Sequence, residues 1–139
     1  HGVPQGYQRR LDIGTAIHTI VYSADGVAYR REYLASAPQQ ALVLRYTADK
    51  PGAYSGTLKL NDAHAAPTTA SGNLLAAGGK LANGLQYETA IQVVNTGGRI
   101  TASTNGVLQI ENADALTIID TRIAEAVEKR ITYHLGIVK

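Results

Sequence analysis

The chain contains no cysteine, tryptophan, phenylalanine or methionine. Without cysteine there is no disulfide framework, no thiolate metal site and no thiol nucleophile, and the redox compartment is left open. No apolar run approaches the roughly 20 residues needed to cross a bilayer, so no membrane partner is expected. The first residues, HGVPQG, have neither the basic start nor the apolar centre of a signal peptide. Charge of one sign is also lacking. Thirteen Lys and Arg are interleaved with 11 Asp and Glu for a formal charge of +2, and the adjacent basic pairs are Arg9-Arg10, Arg30-Arg31 and Lys129-Arg130. A phosphate-binding surface needs a longer basic stripe, so no nucleic-acid partner is expected.

What the chain does have is a strand pattern. Its 139 residues, 45% hydrophobic with 14 Gly, suit one domain that buries about two-thirds of its unfolded surface. Ile17, Thr19 and Val21 alternate with His18, Ile20 and Tyr22, Ala24-Asp25-Gly26 supplies a turn, and Val27 to Leu34 returns as a second strand. Ala41 to Thr47 is rich in β-formers, Asp49-Lys50-Pro51-Gly52 is a turn, and Tyr54 to Leu60 alternates again, which reads as another hairpin-like pair. Residues 61–72 read as a polar loop. Strands are expected at 74–76, 85–94, 99–102, 107–110 and 116–119, separated by Gly-Gly, Asn-Gly and Asn-Ala-Asp punctuation. Many short strands with regular turns predict an all-β antiparallel sandwich. Residues 1–6 read as a flexible start. Ile123, Ala124, Val127 and Ile131 share a helical face, and Glu125 with Lys129 makes an i,i+4 pair, so a short helix is expected over 122–130 before a final strand at 131–138.

With the other large aromatics missing, ring chemistry falls to eight tyrosines, at positions 7, 22, 29, 33, 46, 54, 87 and 133. Most tyrosines serve packing, with the hydroxyl finding water at the rim of a core. If a sugar-stacking site exists, its best residues are Tyr22, Tyr29 and Tyr33 with Arg31 and Glu32, because one hairpin carries rings and planar polar partners together. That set is the candidate carbohydrate-binding site.

Catalytic and metal chemistry find less support. Glycoside hydrolysis needs two carboxylates at a defined separation. Asp12, Glu32, Glu88 and Asp114 are conceivable, yet each sits where a solvated strand face or turn-capping carboxylate is expected. No catalytic residue is assigned, and no Gly-x-Ser-x-Gly elbow occurs. His18, His64 and His134 are dispersed, with no His-x-His or His-Glu-x-x-His pattern. His1 followed by Gly2 has the donors to chelate copper together with a second histidine, but a fragment boundary or a leftover tag residue is the preferred reading. Asp25, Asp49 and Asp62 lack the alternating oxygen ligands of a calcium loop. No metal or cofactor is expected.

Several ordered motifs extend from Tyr7 to Ile118. They are Tyr7-x-Arg9-Arg10-Leu11-Asp12, Thr15-Ala16, Val21-Tyr22 leading into Asp25-Gly26-Val27, Tyr29-x-Arg31-Glu32, Ala35-Ser36-x-Pro38 and Thr47-Ala48-Asp49-Lys50-Pro51-Gly52. A second block holds Asn83-Gly84-Leu85-x-Tyr87-Glu88, Gly97-Gly98 and Ala113-Asp114-Ala115-Leu116-Thr117-Ile118. In order and spacing the series resembles the N-terminal β-sandwich domain of inverting α-L-fucosidases, glycoside hydrolase family 95. The resemblance fades after Asp120. It implies that the catalytic acid and the water-activating residues lie in a helical barrel that follows the sandwich, so this chain alone is expected not to be an enzyme. It also implies a secreted or periplasmic location. Three roles follow as alternatives: a non-catalytic carbohydrate-binding module for an oligosaccharide or polysaccharide, a structural domain bracing a catalytic glycosidase domain, or an immunoglobulin-like assembly domain whose edge strand permits a homodimer. The binding module is the leading expectation.

Overall fold

The computed structural model describes residues 2–125. Among them the chain forms β1 (Gln5–Asp12), β2 (Ile17–Ala24), β3 (Val27–Ser36), β4 (Ala41–Ala48), β5 (Tyr54–Lys59), β6 (Thr69–Ser71), β7 (Leu74–Lys80), β8 (Gln86–Thr96), β9 (Arg99–Ser103), β10 (Val107–Ala113) and β11 (Ala115–Glu125). An eight-stranded sheet has the order β1-β2-β3-β4-β11-β8-β7-β6, and β5-β10-β9 form a second sheet of three. Every pairing is antiparallel. The result is the expected antiparallel sandwich, with unequal layers.

Local chemistry explains the first hairpin. Asp25 and Gly26 both take positive φ, 52° and 71°, which suits a tight two-residue turn between right-twisted strands. The ladder then runs from Ala24 opposite Val27 to His18 opposite Tyr33.

Four expectations are corrected. First, β5 does not form a hairpin with β4; it leaves the large sheet and pairs with β10. A turn sequence specifies reversal, while the sheet a strand then joins is decided by long-range burial. Second, β1 precedes the first expected strand and pairs with β2, with Leu11 opposite His18. Third, β6 lies inside the expected polar loop as a three-residue edge. Fourth, the helix expected to start at Arg122 does not, since β11 continues through Glu125, which lies opposite Gln86. The long β8 offers ladder partners along all of β11, and that pairing overrides a helical spacing that sequence alone finds equally acceptable. Residues 126–130 of that helix and the expected strand at 131–138 lie outside the described residues.

Four links cross between the layers, and three of them, β4 to β5, β8 to β9 and β10 to β11, lie together at one end of the sandwich. Asp114 ties the three together. Its N–H donates to the Thr96 carbonyl at 2.8 Å, and its Oδ1 accepts the Gly52 N–H at 2.6 Å. Gly97 and Gly98 turn the second crossing with φ of 65° and 61°. A Cβ on Gly98 would stand 2.2 Å from the Glu111 carbonyl oxygen, so only glycine fits.

The core lies where the layers overlap. Leu75, Val93, Leu116 and Ile118 of the large sheet meet Leu108, Ile110 and Ala113 of the small one, and Leu75, Val93 and Leu108 are fully buried. Three strands roof only part of eight: at about 4.8 Å per strand the layers are about 10 and 34 Å wide. The same face of the large sheet therefore continues past β5, over β3, β2 and β1, without a second layer among the described residues.

Candidate functional site

That continuing face holds most of the expected site. Strand alternation and register put Tyr22 of β2, Tyr29, Arg31 and Tyr33 of β3, and Tyr46 of β4 on one side: Tyr22 lies opposite Tyr29, and Arg31 opposite Tyr46. All five are half-buried. Tyr54 joins them from β5.

The rings are packed on one another. Tyr22 and Tyr29 stack at 5.1 Å between centroids and 19° between planes, and Tyr29 meets Tyr54 edge-on at 5.7 Å. Tyr46 lies 6.1 Å from both Tyr33 and Tyr54, while His18 tilts against Tyr33 at 5.5 Å. Arg31 sits at the centre. Its Nη2 donates to the Tyr22 hydroxyl at 2.8 Å, and its Cζ stands 5.3 Å from the Tyr22 centroid and 5.1 Å from that of Tyr46. Its Nε is buried without a hydrogen-bond partner. Desolvation opposes the Arg31 charge, but the oxygens of Tyr22, Tyr33 and Tyr46 outweigh it and the pKa moves up. Burial pushes the Tyr46 and Tyr54 phenols up to about 12 each, helped at Tyr46 by its hydrogen bond with Tyr33. The Tyr54 hydroxyl donates to the Thr47 carbonyl at 2.8 Å.

The structure thus brings Tyr22, Tyr29, Tyr33 and Arg31 together, and separates Glu32 from them. Glu32 faces the opposite side of the sheet, where its Oε1 accepts from Arg30 Nη2 at 2.7 Å. The strand period of two already implies this, since neighbours on a strand point to opposite faces. Sequence reasoning missed Tyr46, Tyr54 and His18 as members of the cluster. His18 was within reach of the hairpin register; Tyr46 and Tyr54 depend on how β4 and β5 are placed.

The carboxylates weighed for catalysis or calcium serve turns and strand faces instead. Asp12 accepts from the Thr15 and Gly14 N–H groups, which hold it below the ordinary carboxylate value. Asp25 accepts from Gly2 N–H and Asp49 from Ala28 N–H, each at 2.8 Å. Asp62 accepts from the Ala66 and His64 N–H groups and the Tyr87 hydroxyl; the Ala66 bond leads in lowering its pKa. Among the described residues no three His, Asp or Glu side chains are grouped to hold a metal.

The model of the glycosyl hydrolase family 65 N-terminal domain matches residues 1–124. The chain belongs to that family. A curated relative, α-L-fucosidase 2 of Arabidopsis thaliana, is 26% identical over 133 residues, an alignment covering 78% of this chain and 16% of the fucosidase. A solved structure assigned as a kojibiose phosphorylase from the human microbiome shares the fold of this family 65 N-terminal domain, with a TM-score of 0.57 and 11% identity over 92% of the chain and 21% of the phosphorylase. The chain therefore spans a small fraction of either relative. It is an N-terminal domain of the glycoside hydrolase type.

Proposed function

We propose that this chain is the N-terminal sandwich of an α-L-fucosidase-like enzyme of family 95, and that its role is to brace a catalytic domain. The observation that carries this reading is the self-packed tyrosine cluster. A stacking site for a pyranose needs a free ring face with free polar groups beside it. Here Tyr22 and Tyr29 cover each other, and the Arg31 guanidinium is turned toward the Tyr22 hydroxyl and the Tyr46 ring. These are the habits of a packing surface. The match to an N-terminal domain family, and the small share of the relatives that the chain covers, support the same role.

The second reading, a carbohydrate-binding module, is favoured by the half-exposure of Tyr22, Tyr29, Tyr33 and Arg31 on one face. Calorimetric titration of the chain with fucosylated oligosaccharides separates the two. Bracing predicts no saturable heat. Saturable binding that disappears in Tyr29→Ala and Tyr33→Ala would establish the module instead.

A further inference from the structure

The outer face of the large sheet, turned away from the small one, breaks the pattern of a solvated sheet. Antiparallel strands with one wet face alternate apolar-in with polar-out. Four strands here instead carry adjacent apolar residues: Tyr33-Leu34, Val43-Leu44, Ile118-Ile119 and Leu74-Leu75. Neighbours on a strand point to opposite faces, so one member of each pair faces outward.

Cross-strand register joins the outward members into a row. Leu34 lies opposite Val43, Val43 opposite Ile119, Ile119 opposite Gln92, and Gln92 opposite Leu74. The next row toward the Glu125 end runs from Ser36 through Ala41, Thr121 and Ala90 to Ala76. Neither row holds a charged residue, and every member is half-buried. Charge returns only at the borders, with Glu32 opposite Arg45 on one side and Glu88 opposite Gly78 on the other. An apolar centre with a charged rim is the anatomy of an interface.

We propose that this outer patch is the contact through which the sandwich braces the catalytic domain, against an uncharged apolar surface of that domain. The inference rests on the bracing role proposed above.

Three observations favour this occupant over a second copy of the chain. The match to the N-terminal domain family closes at residue 124, on β11, the strand that carries Ile119 and Thr121 through the patch, so the domain boundary lies beside it. The relatives have ample further chain, since this one covers 16% of the fucosidase and 21% of the phosphorylase. The area decides between the two. Five strands about 4.8 Å apart and two rows about 6.8 Å apart cover roughly 24 by 14 Å, or about 650 Å² counted over both partners. That lies within the roughly 600–1,500 Å² of contacts between domains of one chain, and below the roughly 1,200 Å² that separate proteins need for a stable complex.

The absence of native cysteine gives a direct test. Val43→Cys and Leu74→Cys, on separate strands of the patch, are each placed in the full 139-residue chain and in an α-L-fucosidase-like protein that carries this sandwich. Thr57→Cys, at an exposed site on β5, is the control. Alkylation by iodoacetamide is followed at the substituted peptide by mass spectrometry, after circular dichroism has shown that each variant folds. The expected result is that both patch thiols react at least about tenfold more slowly in the longer protein than in the chain alone, while the control reacts equally in both. Equal rates at the patch would overturn the inference and leave the bracing role standing, since that role is read separately from the melting temperature with and without the sandwich. Protection already present in the chain alone and lost on dilution would assign the patch to a second copy and overturn the inference as well.

Discussion

Arg31 and Tyr46 face each other across β3 and β4, with the guanidinium carbon 5.1 Å from the ring centroid. The same guanidinium donates to Tyr22, so one side chain joins three strands of the large sheet. Lysine keeps the charge but has neither the flat surface nor the fork. Arg31→Lys is expected to lower stability by about 1–2 kcal/mol. Chemical denaturation measures it, and a double-mutant cycle with Tyr46→Leu should leave a coupling of at least about 0.5 kcal/mol. Additive effects would mean that the contact carries no energy.

The raised phenols give the domain an alkaline limit. Tyr46 and Tyr54 have an ordinary value of 10.0 and are pushed up to about 12 by burial. A phenol that holds its proton longer when folded contributes fully below pH 10, and that contribution is lost as pH rises through about 12. Stability followed by circular dichroism should fall across that window, alongside a late component in the phenolate absorbance. Tyr54→Phe should remove part of the pH dependence.

At the crossing end, Asp114→Ala removes the acceptor for the Gly52 N–H at the turn that carries the chain from β4 into β5. The expected cost is about 1–3 kcal/mol in a thermal or denaturant melt. Asp114→Asn retains a side-chain oxygen and should recover part of it. Gly98→Ala should be more damaging, because its Cβ would run into backbone at Glu111 and Ala113 in a left-handed conformation.

The fully buried leucines set the scale for the core. Leu75→Ala and Leu108→Ala, one in each layer, should each cost roughly 2–5 kcal/mol by denaturant unfolding. Leu11→Ala, at a position 62% exposed on β1, should change stability by less than about 1 kcal/mol.

Local chemistry made part of this fold legible. The turn at Asp25-Gly26 and the alternation on either side specify the β2–β3 hairpin, and with it the meeting of Tyr22, Tyr29 and Arg31. The separation of Glu32 from Arg31 is legible too, since a period of two puts strand neighbours on opposite faces. Other features depend on contacts distant in sequence. The Asp49-to-Gly52 turn looks the same whether β5 returns to β4 or crosses to β10, and only the burial of Leu58 and Tyr54 against the core decides. Arg122 to Glu125 carries a helical spacing that the β8 ladder overrides. β1 has an exposed pattern with little apolar alternation, so nothing local marks it.

The proposed bracing role is tested most directly in an α-L-fucosidase-like protein that carries this sandwich, compared with and without it. Under that proposal the purified catalytic remainder alone should melt at a lower temperature and lose most of its fucosidase activity, and adding the separate domain should form a complex and restore part of both. A remainder that keeps its melting temperature and activity, and does not bind the added domain, would contradict the account.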